Sequence, residues 1–275
     1  MKIAICNETY RDWSFEDAFR HASQCGFEGI EIAPFTLQKN ANDITQSQIN
    51  DVVALAAKHN LQIVGLHWLL AFTDGLHLTS SDDSVRQKTA GYLGRLAAVC
   101  RQLGGGVMVF GSPDQRSIQS GITVQQANDL AIDCIRRLLP ALQEHNVTLA
   151  LEPLGPEEGN FLLTAEWGRQ LVAEIDSEFV KLHLDVKAMS TESESIPDII
   201  AASKQELVHF HANDPNRRGP GMGDVEYEPI VAALVDIEYD GWLSVEVFDE
   251  SVAPEVLAAE SVEYLKRQLV AAGVG

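Results

Sequence analysis

A (β/α)₈ TIM barrel, α/β in class and spanning residues 1–275 as a single domain, is the fold this sequence predicts, on three observations. Eight short apolar runs with strand character alternate with helical stretches, and loops of ordinary length separate them. No composition break or low-complexity linker divides the chain, and 275 residues with 45% hydrophobic content suffice for one large core. Glu152, Asp185, His211 and Glu246 close the last four runs one by one. Only a closed parallel sheet aims four successive carboxyl ends at one axis, whereas an open doubly wound sheet spreads them out.

The elements follow in order. Lys2 to Cys6 reads as the first strand, followed by a helix from Ser14, whose hydroxyl can cap it, to Cys25. Gly29 to Ala33 is the second strand, ended by Pro34. Ser47 is the expected cap of a helix running through Lys58, before the third strand, Gln62 to Leu66. A helix from Asp82 to Leu103 turns at Gly104-Gly105-Gly106 into the fourth strand, Val107 to Phe110, backed by a helix from Thr123 to Glu144. The fifth strand is Thr148 to Glu152, and Thr164 has the hydroxyl to cap a helix over Ala165 to Glu174. Val180 to Asp185 is the sixth strand, Ile196 to Ser203 a weaker helical segment, and Leu207 to His211 the seventh strand. Helices over Glu226 to Asp236 and Pro254 to Val270 flank the eighth strand, Leu243 to Glu246.

Charge narrows the partners. Forty Asp and Glu against twenty Lys and Arg give a formal net charge of -20, a surface that repels phosphate backbones and anionic lipid. No nucleic acid and no membrane partner is expected, while small neutral sugars remain compatible. Cys6, Cys25, Cys100 and Cys134 lack paired metal spacing and are too few for a disulfide framework, so they read as reduced cytosolic thiols. The apolar stretch at Met1 to Asn7 is too brief for a signal peptide, and a cytoplasmic protein is expected.

Three carboxylates and one imidazole make a hard, oxygen-rich set that suits Mn²⁺, Mg²⁺ or Co²⁺ better than a thiolate metal. Single acids near strand ends often only cap helices or face solvent; four at successive strand ends point to a metal site. Side chains two apart on a strand share a face, so His183 and His209 lie one layer below Asp185 and His211. There they orient a ligand, touch substrate, or are core histidines bonded to a neighbour. At the end of the third strand His67 and Trp68 offer an imidazole for a hydroxyl and a ring for a sugar face, though Trp68 equally suits the core. Phe110-Gly111-Ser112-Pro113, with Arg116 behind, reads as pocket wall, its glycine permitting close approach. Glu31 either lines the pocket or pairs with a lysine.

These residues carry a resemblance. Leu151-Glu152-Pro153-Leu154, His183-Leu184-Asp185, His211 with Asn216-Arg217-Arg218 and Pro220-Gly221-Met222-Gly223, and Glu246 resemble the xylose-isomerase-like sugar isomerase and epimerase superfamily. The nearest described pattern is that of the ketose 3-epimerases of the D-tagatose or D-psicose type. The resemblance implies that Glu152, Asp185, His211 and Glu246 bind one divalent ion, Mn²⁺ first, with Mg²⁺ or Co²⁺ as substitutes and Zn²⁺ less suited. It further implies that Glu152 and Glu246 are the catalytic pair, one removing a proton beside the carbonyl to give a metal-stabilised enediolate and the other returning it. Arg217 and Glu158 match substrate-binding positions of that family; Arg217 also suits a solvated loop, and Glu157 competes with Glu158. A homodimer or homotetramer is implied too, with the apolar face of the last helix as a contact.

One departure matters: the family's substrate-binding histidine, three residues after the sixth-strand aspartate, is here Ala188, with Lys187 adjacent. Partly buried beside a cation, Lys187 is expected to have a lowered pKa, suited to a proton donor; the alternative is that it reaches solvent. The leading expectation is therefore a metal-dependent isomerase or epimerase of a sugar, keto-sugar or cyclitol. The alternatives are a dehydratase or lyase of the inosose or dehydroshikimate type and a non-catalytic sugar-binding barrel. A hydrolytic relative of the endonuclease IV type fits poorly, since it needs several zinc ions, more histidine ligands and a DNA-compatible surface.

Overall fold

A computed structural model describes residues 1–274. Eight parallel strands close on themselves in chain order: β1 (Lys2–Cys6), β2 (Gly29–Ile32), β3 (Gln62–Leu66), β4 (Val107–Phe110), β5 (Thr148–Leu151), β6 (Val180–Asp185), β7 (Leu207–Ala212) and β8 (Trp242–Val245). The closing pair sets Ala4 beside Ser244 and Ile5 beside Val245. Around the sheet stand α1 (Phe15–Cys25), α2 (Gln46–Lys58), α3 (Asp83–Leu103), α4 (Val124–His145), α5 (Ala165–Ile175), α6 (Val186–Met189), α7 (Ile196–Ala202), α8 (Tyr227–Asp236) and α9 (Pro254–Ala271).

Local chemistry explains most boundaries. Ser14 and Thr164 cap α1 and α5 through their hydroxyls, as expected, and Thr123 caps α4 in the same way. Gly26 and Gly104 end α1 and α3 at φ 91° and 93°, a left-handed backbone that glycine adopts without a Cβ penalty. The α2 cap is Thr45, not Ser47: its hydroxyl accepts from the Gln48 backbone N–H while the Gln48 side chain accepts from the Thr45 N–H. Ser47 lies inside the first turn, where its hydroxyl has no free amide to serve.

Strand β5 stops at Leu151 and β8 at Val245, so Glu152 and Glu246 stand one residue beyond the ladders. The short α6 was not expected. Asp185 starts it, its Oδ1 accepting from the Ala188 N–H at 2.8 Å.

Two apolar bodies hold the barrel. A large one fills the space between sheet and helices, and a small one, Ala4, Val64, Val107, Val109 and Ala150, closes the narrow end of the barrel interior. Period-two alternation explains the change of character above it: Ala4 leads to Cys6, Ala150 to Glu152, and His183 and His209 to Asp185 and His211. No helix among the described residues is long and apolar enough to cross a membrane.

Candidate active site

A cavity of about 110 Å³ opens at the carboxyl end of the barrel, lined by Trp68, Gly111, Pro113, Glu152, Leu154, Glu158, Lys187, Arg217, Glu246 and Phe248. Six loops therefore meet there, those after β3 through β8. Trp68, Arg217 and Phe248 also border a wider vestibule of about 380 Å³ with Phe35 and Phe72. Trp68, Phe72 and Arg217 take positive φ values of 51°, 60° and 68°, costly for side chains other than glycine, and such strain concentrates at sites held by their surroundings.

Donor atoms from Glu152, His183, Asp185 and His211 all lie within 4.8 Å of one another, and each of these residues is buried. Glu246 joins them through His211, with Nδ1 and Oε2 3.2 Å apart. Three of the four expected ligands thus converge, Glu246 reaches them through His211 alone, and His183 joins the set with its Nε2 3.8 Å from Glu152 Oε1. A Cβ at position 111 would overlap Glu152 Oε2, so glycine there leaves the room this carboxylate occupies.

Electrostatics separate the carboxylates. Burial drives Glu152 well above the usual carboxylate range, and the charges of Glu246 and Asp185 add to the rise. Burial and then Glu246 lift Asp185 to about 6. Glu246 moves the other way: burial raises it, but His211, with His67 and Lys187, holds it below its ordinary value. His211 is raised well above the imidazole range, because Glu246, Cys6 and Glu31 outweigh the burial that opposes its charge. Burial, then His211 and His209, keep His183 neutral.

The donor set fits a divalent cation. Both ring nitrogens of His183 and Nδ1 of His211 are shut from solvent without an aligned hydrogen-bond partner, in a region where three acids repel one another. A cation takes up the one lone pair that a neutral His183 ring offers and removes that repulsion.

Other residues hold the cluster in place. Glu31, fully buried, accepts from His209 Nε2 at 2.8 Å and faces His211 Nε2 at 3.3 Å, so its partners are histidines and not the cavity or a lysine. Asn213 donates from Nδ2 to Asp185 Oδ2 at 2.5 Å and accepts from the Lys187 N–H at 2.8 Å, while its carbonyl takes the Tyr227 hydroxyl. Arg116, 1% exposed, donates to the backbone carbonyls of Glu152 at 2.6 Å and Phe110 at 3.3 Å, tying the ends of β4 and β5 together. Glu8, in the turn after β1, meets His67 Nε2 at 2.7 Å. Asn213 and Glu8 were missed in the sequence, although each stands two residues beyond a residue already facing the interior, His211 and Cys6.

Among the expected substrate-binding residues, Trp68, Glu158, Lys187 and Arg217 line the cavity; His67 and His183 are fully buried and do not. Glu157 is not on the wall, whereas Glu158 Oε2 meets Lys187 Nζ at 2.6 Å. The lowered pKa expected of Lys187 is that of an ion-bound site, and the protein groups alone act the other way. Burial does oppose its charge, but Asp185 and Glu158 outweigh burial and raise it.

A closed parallel barrel with a polar cavity built from its strand-end loops defines the class: a (β/α)₈ protein of the enzyme-bearing kind. Within that class the chain belongs to the xylose isomerase-like TIM barrel family, whose model matches residues 19–268. It is 25% identical over 268 residues to a probable ketose 3-epimerase of a Synechocystis species, covering 92% of this chain and 90% of that protein. It is 28% identical over 232 residues to a D-psicose 3-epimerase of Ruminiclostridium cellulolyticum, covering 82% of this chain and 75% of that one. The crystal structure of D-psicose 3-epimerase with D-tagatose from Clostridium cellulolyticum H10 superposes with a TM-score of 0.85 at 21% identity, over 98% of this chain and 99% of that one.

Proposed function

We propose that the protein is a divalent-metal-dependent epimerase or isomerase of a small keto-sugar or cyclitol, with Glu152 and Glu246 as its acid and base. The observation that carries this is the pair of buried glutamates, from β5 and β8, lining one cavity beside a convergent set of metal donors. The sugar epimerases among its relatives support the substrate class.

Glu152, Asp185, His211 and Glu246 would hold the ion, with His183 within reach. When bound, the ion supplies positive charge to the oxygens beside the reacting carbon. One glutamate carboxylate takes the proton from the carbon next to the carbonyl, and the electron pair moves to the carbonyl oxygen. The opposite glutamate, entering protonated, returns a proton to the other face of that carbon as the electron pair moves back. Environments that push two carboxyl groups apart in pKa, Glu152 upward and Glu246 downward, suit a division between acid and base. Arg217 and the Lys187–Glu158 pair bind substrate oxygens, and Trp68 and Phe248 cover an apolar face of the substrate.

Incubation of the metal-loaded protein with a panel of ketoses and keto-sugars in D₂O tests the reading. Deuterium at the carbon beside the carbonyl, with a new isomer, is expected; a panel with neither overturns it. A second reading, elimination in the manner of a dehydratase, is favoured by Lys187 on the cavity wall, next to Ala188, the position at which the resembled family carries a histidine. An ultraviolet-absorbing enone would mark it, and sugar binding without exchange at any carbon would mark a binding barrel.

A further inference from the structure

Across the barrel mouth from Asp185, the ends of β1 and β3 build a second group of donors. Cys6 Sγ, a Glu8 carboxylate oxygen, a His67 ring nitrogen and a Glu246 carboxylate oxygen lie within 4.8 Å of one another. Only Glu246 is common to this group and the proposed metal ligands above. The chain brings the group together by local means. Residues Asn7–Tyr10 form a single 3₁₀ turn directly after β1, folding Glu8 over the barrel. The His67 amide continues the sheet by donating to the Ile32 carbonyl at 3.2 Å, which fixes the ring at the barrel interior.

Two of these groups, His67 and Glu8, are poorly served without a ligand, whereas Cys6 Sγ has Glu31, His211 and Ser244 within 3.8 Å and Glu246 meets His211. His67 has no exposed surface, and neither of its ring nitrogens has an aligned hydrogen-bond partner; the same holds for both carboxylate oxygens of Glu8. His67 Nε2 and Glu8 Oε2 lie 2.7 Å apart, an ion-pair distance, which leaves His67 Nδ1 and Glu8 Oε1 as the buried atoms that no group meets. Native interiors rarely leave buried polar atoms unmet, and a bound ion is one of the few reasons for two such atoms in one place, beside a thiol and a second carboxylate.

We propose that Glu8, His67, Cys6 and Glu246 form a second divalent cation site, with Glu246 bridging it to the first. The bridging rests on the proposed function above; the site itself does not. An imidazole, two carboxylates and a thiol form a borderline set that suits Zn²⁺ or Co²⁺, unlike the oxygen-rich first set that suits Mn²⁺ or Mg²⁺. Binding replaces the Cys6 S–H bond by a sulfur–metal bond and releases the proton to solvent. The ion would fix the Glu246 carboxylate and pin the ends of β1 and β3 together.

Titration of chelator-treated protein with Co²⁺, followed by near-ultraviolet and visible absorption, tests this, with elemental analysis after Zn²⁺ loading and dialysis. Two equivalents per chain are expected, one of them giving a thiolate-to-cobalt charge-transfer band. Glu8→Gln and His67→Asn should each fall to one equivalent while keeping the wild-type circular dichroism, and Cys6→Ser should lose the band. One equivalent in the wild type that Glu8→Gln and His67→Asn both retain, with Glu8 and His67 merely an ion pair, overturns the site. Two equivalents retained in both Glu8→Gln and His67→Asn, or two without the sulfur band, overturn it as well. Failure of the first-site reading looks different: an equivalent that is insensitive to Glu152→Gln and Asp185→Asn but lost in Glu8→Gln leaves the second site standing alone.

Discussion

The two halves of the barrel mouth carry their polar groups in different ways. On the β5 to β8 side, Glu152, Lys187, Arg217 and Glu246 stand at the cavity wall, where a small molecule can reach them. On the β1 to β3 side, Cys6, Glu31 and His67 are sealed, and they act on the cavity only through contacts such as Glu31 with His211. One half presents chemistry and the other supports it. The difference teaches that burial, and not residue type alone, separates a group that can meet substrate from one that sets the charge and orientation of its neighbours.

The largest effect that would break this contrast concerns the presenting half. Glu152→Gln and Glu246→Gln are each expected to lower kcat about 10²–10⁴-fold, the usual range for a lost acid or base, with the fold kept by circular dichroism. A loss of the same size from a substitution on the sealed side would erase the distinction. Glu31→Gln comes next and should read mainly as stability: removing one partner of a buried charged pair costs about 3 kcal/mol or more, measured by denaturant midpoint. Asn213→Ala sharpens the link between the orienting groups and the ligands. It frees Asp185 Oδ2 and should weaken cation affinity about 10–100-fold by calorimetric titration. The smallest effect lies outside both halves: Thr45→Ala should cost about 1 kcal/mol of unfolding free energy as a lost cap, while Ser47→Ala should stay within about 0.5 kcal/mol.

Legibility in the sequence followed the same divide. Strand periodicity located all eight strands, and Glu152, Asp185, His211 and Glu246 stood out because each ends an apolar run that a barrel must aim at its axis. The sealed groups were harder to read, since a role such as that of Glu31 depends on which histidines a distant strand places beside it. Asn213 was within reach of the period-two rule, being two residues past His211, yet asparagine after a strand also reads as an ordinary turn. Thr45 carried its own signal, a glutamine three residues on, which marks a capping box that Ser47 lacks. The four residues of α6 are too few to show a helical period. The charge state of Lys187 turned on Glu158, brought in by a separate loop.

The dry plug of Ala4, Val64, Val107, Val109 and Ala150 has a consequence for traffic. It closes off the interior beneath the cavity, whose mouth is framed by Trp68, Arg217 and Phe248. Whatever enters must depart by the route it came, so a spent guest obstructs the next arrival.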